Sequence, residues 1–346
     1  MKIKSKLIIS IILFLGLSAL PVFGQDWKTV FDQGLVQYRA GKNSEAVSSF
    51  LKANALRPNV PEGHFNLGLA YYGLKRFNEA AVAFREAVRL KPNYTNAFIQ
   101  LGNVLDLVGQ YAEAMAAYRS AERLEPNNNM VHYEMGVAHL GQKKYAEAEA
   151  AFRKSIALLP GYASAHSELG RLFDVSGRGD QSFAFHMEAV KLDPKLAYSQ
   201  RRLGDHYVNQ KRFAEAIVSY RAALTLNPAD ANAELGLGNA YYNDKKYSES
   251  VPHYQIASRL DPKWAQPVNY LADAYRMLKN FAEARKAYER SLEIRADQAS
   301  PHYWLGVLDM VDGKKAAALA RYEKLKTLDA ELAKRLNGII NPAPGN

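Results

Sequence analysis

Histidine is the residue type in this chain best suited to chemistry, because there is no cysteine to serve as nucleophile or thiolate ligand. Four of the eight histidines, His64, His132, His166 and His302, stand whole multiples of 34 residues apart. Zinc on a helix is held by two imidazoles one turn apart, as in HExxH, and no pair here has that spacing. A shared period without ligand spacing marks packing residues. The sequence also lacks a nucleophile elbow, a phosphate-binding loop and a dinucleotide fingerprint. Arg178-Gly179-Asp180 spells the integrin-binding tripeptide, yet glycine and aspartate are ordinary turn and helix-start residues. The expectation is no metal, no cofactor and no catalytic site.

What positions these residues is a ladder. Seven of the 14 prolines, Pro58, Pro92, Pro126, Pro160, Pro194, Pro228 and Pro262, stand 34 residues apart, and the next two rungs fall on Ala296 and Ala330. Proline lacks an N–H and disfavours helix in the residue before it, so each rung is expected to end one helix and to fit the first turn of the next. With proline at position 32, repeats start at Trp27, Pro61, Thr95, Asn129, Ala163, Ala197, Ala231, Ala265 and Ala299. Position 8 is then glycine in every copy but the eighth, which has Ala272, as expected where two helix backbones cross closely. Position 20 is small, from Ala46 to Ala318, and position 24 is Phe50, Phe84, Tyr118, Phe152, His186, Tyr220, Tyr254, Tyr288 and Tyr322. Glutamate at position 19 suits the positive end of a second helix. Each copy reads as helix, short turn, helix.

Leucine-glycine at positions 7 and 8, tyrosine near 11, alanine at 20 and 27, an aromatic at 24 and proline at 32 together resemble the tetratricopeptide repeat. The resemblance implies an all-α fold, a right-handed α-solenoid of nine helix-turn-helix repeats over residues 27–328. A capping helix over 329–337 and a flexible tail over 338–346 complete it. One copy alone cannot bury its apolar face, so stacked neighbours must share a core and the ends need polar caps. The fifth copy departs at Gly179, Ser182 and His186, which makes it either a soft joint or a site of ordinary drift repaired by its neighbours.

Residues 1–24 read as an export signal. Lys2, Lys4 and Lys6 precede an apolar run from Leu7 to Leu20, followed by Pro21 and Val22-Phe23-Gly24, with cleavage expected after Gly24. The run is shorter than the roughly 20 residues that span a bilayer, so an uncleaved anchor is the lesser alternative. A periplasmic or secreted location is the expectation. The formal charge of +10 falls to +7 without the three leader lysines, so the chain stays basic.

The resemblance further implies a concave groove lined by first helices, through positions 2, 5, 9 and 12, that holds a peptide or protein segment. In this chain the early groove is Phe31, Leu35, Phe65, Leu69, Tyr72, Ile99, Asn103, Tyr133 and Val137. The later groove is Arg171, Asp174, Arg201, Asp205, Asn239, Tyr242, Asn269, Asp273 and Arg276. A surface that turns from apolar to polar suits a segment with one greasy and one polar end. The turns inside repeats carry Lys75 and Arg76, Lys143 and Lys144, Lys211 and Arg212, and Lys245 and Lys246, a basic edge that would attract an anionic envelope component or membrane surface. Nine repeats leave no room for an appended enzyme. The function expected is that of a non-enzymatic scaffold in bacterial envelope assembly, with binding of an anionic polymer along the edge as the alternative and nucleic acid disfavoured by export.

Overall fold

Each 34-residue copy folds as two helices packed on one another, and a computed structural model describes residues 26–342 of the chain. The expected leader, its cleavage point and the last four residues lie outside that range. Two compact units divide at Pro126 and Asn127. The first holds α1 (Trp27–Arg39), α2 (Asn43–Leu56), α3 (Pro61–Gly73), α4 (Phe77–Leu90), α5 (Thr95–Leu107) and α6 (Tyr111–Leu124). The second holds α7 (Asn129–Gly141), α8 (Tyr145–Leu158), α9 (Ala163–Val175), α10 (Gly179–Leu192), α11 (Ala197–Asn209) and α12 (Phe213–Leu226). It continues with α13 (Ala231–Asn243), α14 (Tyr247–Leu260), α15 (Ala265–Met277), α16 (Phe281–Ile294), α17 (Ala299–Val311), α18 (Lys315–Leu328) and α19 (Ala330–Ile340). No strand occurs among the described residues. Within each unit consecutive pairs stack, α2 on α3 or α12 on α13, as in an α-solenoid.

The first helices begin at the residues the ladder marks. The prolines themselves sit elsewhere than expected: Pro58 is two residues past α2 and three before α3, in the linker rather than in a first turn. Their carbonyls explain the periodic histidines. His64 Nε2 lies 2.8 Å from the Pro58 oxygen, His166 Nε2 2.9 Å from that of Pro160, and His302 Nε2 3.0 Å from that of Ala296. An N–H at position 4 thus ties these three linker carbonyls to the helix that follows, the role Gln200 plays toward Pro194 at 3.2 Å.

Position 8 is small for a reason other than the one its pattern suggests. A Cβ on Gly204 would come within 2.7 Å of the Tyr220 ring, so the close approach is to the position-24 ring rather than to a second backbone. Tyr220 also lies against Gly236 of the next repeat, where a Cβ would fall 2.4 Å from the ring. Burying such a ring contributes about 2 to 3 kcal/mol, which makes it the main anchor of its copy. In the ninth copy the slot is filled from outside. Leu336 of α19 meets Gly306, while Tyr322 stays half-buried. The terminal helix runs on to Ile340, beyond the expected end at 337, because Leu336 and Ile340 are 0% and 2% exposed against α17 and α18.

Between the helices of every copy, position 15 takes a left-handed conformation. It is glycine in four copies, Gly41, Gly109, Gly177 and Gly313, with φ from 72° to 78°. It is lysine in the other five, Lys75, Lys143, Lys211, Lys245 and Lys279, with φ from 59° to 62°. A side chain there costs about 1 to 2 kcal/mol relative to the right-handed region, a cost glycine escapes.

Two substitutions test this packing. Gly204→Leu should destabilise the second unit by about 1 to 3 kcal/mol or more in urea titration, and Gly204→Ala by clearly less, since the eighth copy accommodates Ala272. Equal effects would mean that no ring lies over Gly204. Leu336→Ala should cost about 2 to 5 kcal/mol, a loss expected only if α19 fills the ninth slot rather than resting on the surface.

Candidate partner groove

The rings at position 24 reach through to the face made by first helices, and their chemistry decides what that face offers. In four of the five copies whose ring is tyrosine, the hydroxyl donates to an acceptor at position 9, the exception being the ninth, where half-buried Tyr322 goes with Val307. The distances are 2.6 Å for Tyr118 to Asn103 Oδ1, 2.6 Å for Tyr220 to Asp205 Oδ1, 2.9 Å for Tyr254 to Asn239 Oδ1 and 2.6 Å for Tyr288 to Asp273 Oδ1. Where the ring is phenylalanine, in Phe50, Phe84 and Phe152, position 9 is Leu35, Leu69 and Val137. The change from greasy to polar therefore follows the core, and the four acceptor oxygens are engaged inside the repeat. A buried hydroxyl facing leucine would lack a partner, which is why the two positions change together.

Of the expected groove residues, Tyr72 is exposed, at 40%, and packs edge-on to Phe77. Ile99 is a correction: at 3% exposure it belongs to the core of α5 and lines no surface. Phe31, Phe65, Leu69, Asn103, Tyr133, Arg171, Arg201, Asp205, Asn239, Tyr242, Asn269, Asp273 and Arg276 are half-buried. Phe31, Phe65 and Tyr133 lean on Phe50, Phe84 and Phe152 at centroid distances of 5.6, 5.7 and 6.1 Å, and each also packs on a second ring, Trp27, Tyr94 and Tyr162 at 5.1, 4.9 and 5.2 Å. The early stripe is core in part and surface in part. The basic-edge residues Lys75, Arg76, Lys143, Lys144, Lys211, Arg212, Lys245 and Lys246 are all exposed.

In the second unit the polar face opens into two clefts. One, of about 370 Å³, lies between α11 and α13, walled by Arg201, Arg202, Asp205, Asn232, Asn239, Trp264 and Gln266. The other, of about 520 Å³, holds Asn269, Ile294 and Arg295 and shares Trp264 and Gln266. Trp264, Asn232 and Gln266 were not among the expected residues, although the latter two stand at position 2. Hydrogen-bonding capacity remains here. The Asn239 oxygen is taken by Tyr254, leaving its amide N–H groups, and Asn269 Oδ1 and Arg276 Nε are buried without a hydrogen-bond partner among the described residues. Arg276 stacks 3.8 Å above Trp304. Burial raises the Asp273 carboxyl above its ordinary value, with Tyr288 and Arg276 acting against it.

The irregular fifth copy is neither loose nor empty. Ser182 and His186 are 0% exposed, and His186 occupies the ring slot over Gly170. His186 Nε2–H donates to Asp174 Oδ2 at 3.1 Å, and Ser199 Oγ lies 3.1 Å from Nδ1. Arg202 Nε donates to Asp174 Oδ2 at 2.7 Å and its Nη1 to Asp205 at 2.6 Å, while the Ser182 hydroxyl donates to Asp174 Oδ1. Ser199, His186 and Asp174 stand in the order of a catalytic triad, but serine and imidazole are sealed from solvent and no substrate reaches them. Arg178 is likewise committed, to Glu149 at 2.6 Å and to the Phe173 face, so the Arg-Gly-Asp tripeptide is turn chemistry. No cluster of three or more metal-ligating side chains occurs among the described residues.

A stack of helix pairs presenting one face of polar and aromatic clefts is the framework of a helical-repeat protein. Models of the tetratricopeptide repeat match residues 34–75 and 204–245, 61–94 and 265–297, and 99–163 and 133–197. The chain belongs to the tetratricopeptide-repeat proteins, a family of protein–protein interaction scaffolds. Among solved structures, the C-terminal part of a TPR repeat-containing protein from Cytophaga hutchinsonii is similar at TM-score 0.55 and 18% identity, over 69% of this chain and 98% of that one. PilF of Pseudomonas aeruginosa gives 0.52 and 19% over 62% and 98%, and the Cut9-Hcn1 assembly of the APC/C gives 0.51 and 16% over 90% and 76%. These likenesses are of fold. No curated protein matches the chain.

The fifth-copy network carries a pH dependence. Burial, its largest influence, pushes the His186 ring below its ordinary value of 6.5, against the opposing bond from Asp174. Burial alone would raise Asp174, yet hydrogen bonds from His186, His206, Arg202 and Ser182 hold it well below 3.8. Both depressed groups are protonated more readily in the unfolded chain, so stability is full above 6.5, falls below it as His186 binds a proton when unfolded, and falls again below 3.8. Thermal melting between about pH 7 and pH 5 should show the first decline in the wild type and a flatter profile in His186→Phe. Parallel profiles would place the acid sensitivity elsewhere.

Proposed function

We propose that the protein is an exported, non-enzymatic scaffold that holds an extended segment of a partner protein along the first-helix face of its second unit, in the assembly of a bacterial envelope. The observation that carries this reading is the set of amide side chains that line the clefts around Trp264. Asn239 lines the first cleft with its amide N–H groups left over from the bond to Tyr254, Asn232 and Gln266 stand beside it, and Asn269 lines the second. Amide side chains on the first helices of two neighbouring repeats suit the backbone of an extended peptide, and the flat Trp264 surface suits an apolar side chain. Tyr133 and Val137 at the start of the unit are apolar, so the occupant is expected to carry apolar residues at one end and polar ones at the other. Export rests on the leader-like residues 1–24, and the envelope on export.

Asn239→Asp is the informative variant, because aspartate keeps the acceptor for Tyr254, as Asp205 does for Tyr220, and removes only the N–H donors. Peptides selected from a displayed random library on the wild type should bind this variant about tenfold more weakly, the value of one hydrogen bond plus repulsion of a carbonyl. Unchanged binding of the selected peptides would remove the clefts from the interface.

A further inference from the structure

We propose that the turn edge of the second unit docks on an anionic lipid bilayer through the left-handed lysines. Three observations converge there. Lys211, Lys245 and Lys279 occupy three consecutive turns, with Lys143 two turns earlier, and each stands at a backbone position that glycine fills in other copies. A Cβ at Gly177 or Gly313 would meet nothing within 4 Å, so lysine gains no packing in exchange for its conformational cost.

Their charge is also uncompensated. The neighbouring cations are held locally, Arg212 by Glu215 at 2.9 Å, Lys246 by Asp244 at 2.7 Å and Lys144 by Gln142 at 2.9 Å. The ammonium groups of Lys143, Lys211, Lys245 and Lys279 are exposed and make no ion pair or hydrogen bond among the described residues. Glu147, Glu215, Glu249 and Glu283 open the second helices beside them, and Glu215 and Glu283 are engaged by Arg212 and Lys286. With packed helices about 8 to 10 Å apart, the free lysines form a row rather than a cluster.

The third observation selects the partner. Each lysine turn runs directly into an aromatic residue, and two of these rings, Tyr145 and Phe281, are 37% and 46% exposed. Phe213 and Tyr247 are half-buried, Tyr247 against Tyr242 at 5.1 Å. Two isolated rings four repeats apart make no stacking track for successive bases, whereas a bilayer asks for no register. Its headgroup zone takes single aromatic rings and its phosphates take ammonium groups.

The test is vesicle sedimentation with phosphatidylglycerol in phosphatidylcholine against phosphatidylcholine alone, on the full chain and on a chain starting at Asp26, which keeps all nineteen described helices. The wild type should prefer anionic vesicles, and the preference should collapse between about 50 and 500 mM salt. Combining Lys211→Gly, Lys245→Gly and Lys279→Gly should weaken binding on the order of a hundredfold, with melting temperature unchanged or higher. Lys→Gln at the same positions keeps the backbone cost and should lose binding equally. Tyr145→Ser with Phe281→Ser should weaken vesicle binding while leaving binding to polyphosphate unaltered. The proposal is overturned if the wild type shows no anionic preference, if the glycine and glutamine variants sediment like the wild type, or if polyphosphate or single-stranded DNA binds more tightly than the vesicles.

Discussion

The fold depends on one contact repeated through the chain, an aromatic ring from a second helix laid against a residue with no side chain on the first. A Cβ on those glycines would fall within 3 Å of the ring, the eighth copy alone packing its ring, Tyr288, in one cluster with an alanine, Ala272, and without the ring the helix pair has no large group at its centre. Everything else in the copy is arranged around that wedge. Alanine or serine at position 20 is 0% exposed in every copy because the second helix must come close enough to place the ring. The contact reaches further than its own pair, since Tyr220 is pinned by Gly204 within its repeat and by Gly236 in the next. Stacking and pairing are therefore one event, as expected of repeats that cannot bury an apolar face alone.

The same ring fixes the character of the binding face. A tyrosine hydroxyl carried through the core must find an acceptor, and the nearest backbone position able to supply one is position 9 of the first helix, on the exposed side. A groove polar by this route has less free hydrogen-bonding capacity than its composition implies. What remains is concentrated where the internal bond uses half of an amide, as in Asn239. The fifth copy shows the limit of the scheme. With imidazole in place of the ring, one acceptor is not enough, and Asp174 from position 12, Arg202 and three serines are drawn in to complete the bonding.

Much of the fold was legible in the sequence because a 34-residue period leaves many independent marks, and helix starts, small positions and ring positions all lie where those marks put them. Legibility stopped where a residue's role depends on a contact outside its own copy. The linker prolines were misplaced by three residues because a break signal does not say which side of the turn it occupies. Ile99 stands at a groove position but turns inward, since periodicity assigns a face and not a depth. Leu336 fills a ring slot from a different helix, which no repeat register contains. For the groove, the pattern supplied positions 2, 5, 9 and 12, with no residue named at position 2, while Trp264, at the last position of its copy, gave no signal beyond its size. The coupling of positions 9 and 24 was present in the sequence and becomes readable once the two are known to touch.

Nine copies in one chain also act as an internal comparison, in which the same structural environment is filled nine times. Variation that follows a contact is framework: phenylalanine with leucine or valine, tyrosine with asparagine or aspartate in every copy but the ninth, histidine with its aspartate. Variation that follows no contact is left to the surface. Position 15 is the sharpest case, because glycine and lysine share one backbone conformation there and a Cβ on any of the four glycines would meet nothing within 4 Å. If conformational ease alone governed the site, glycine would fill it throughout. Five lysines that accept the less favourable conformation and remain unpaired are therefore better accounted for by what lies outside the chain than by anything within it.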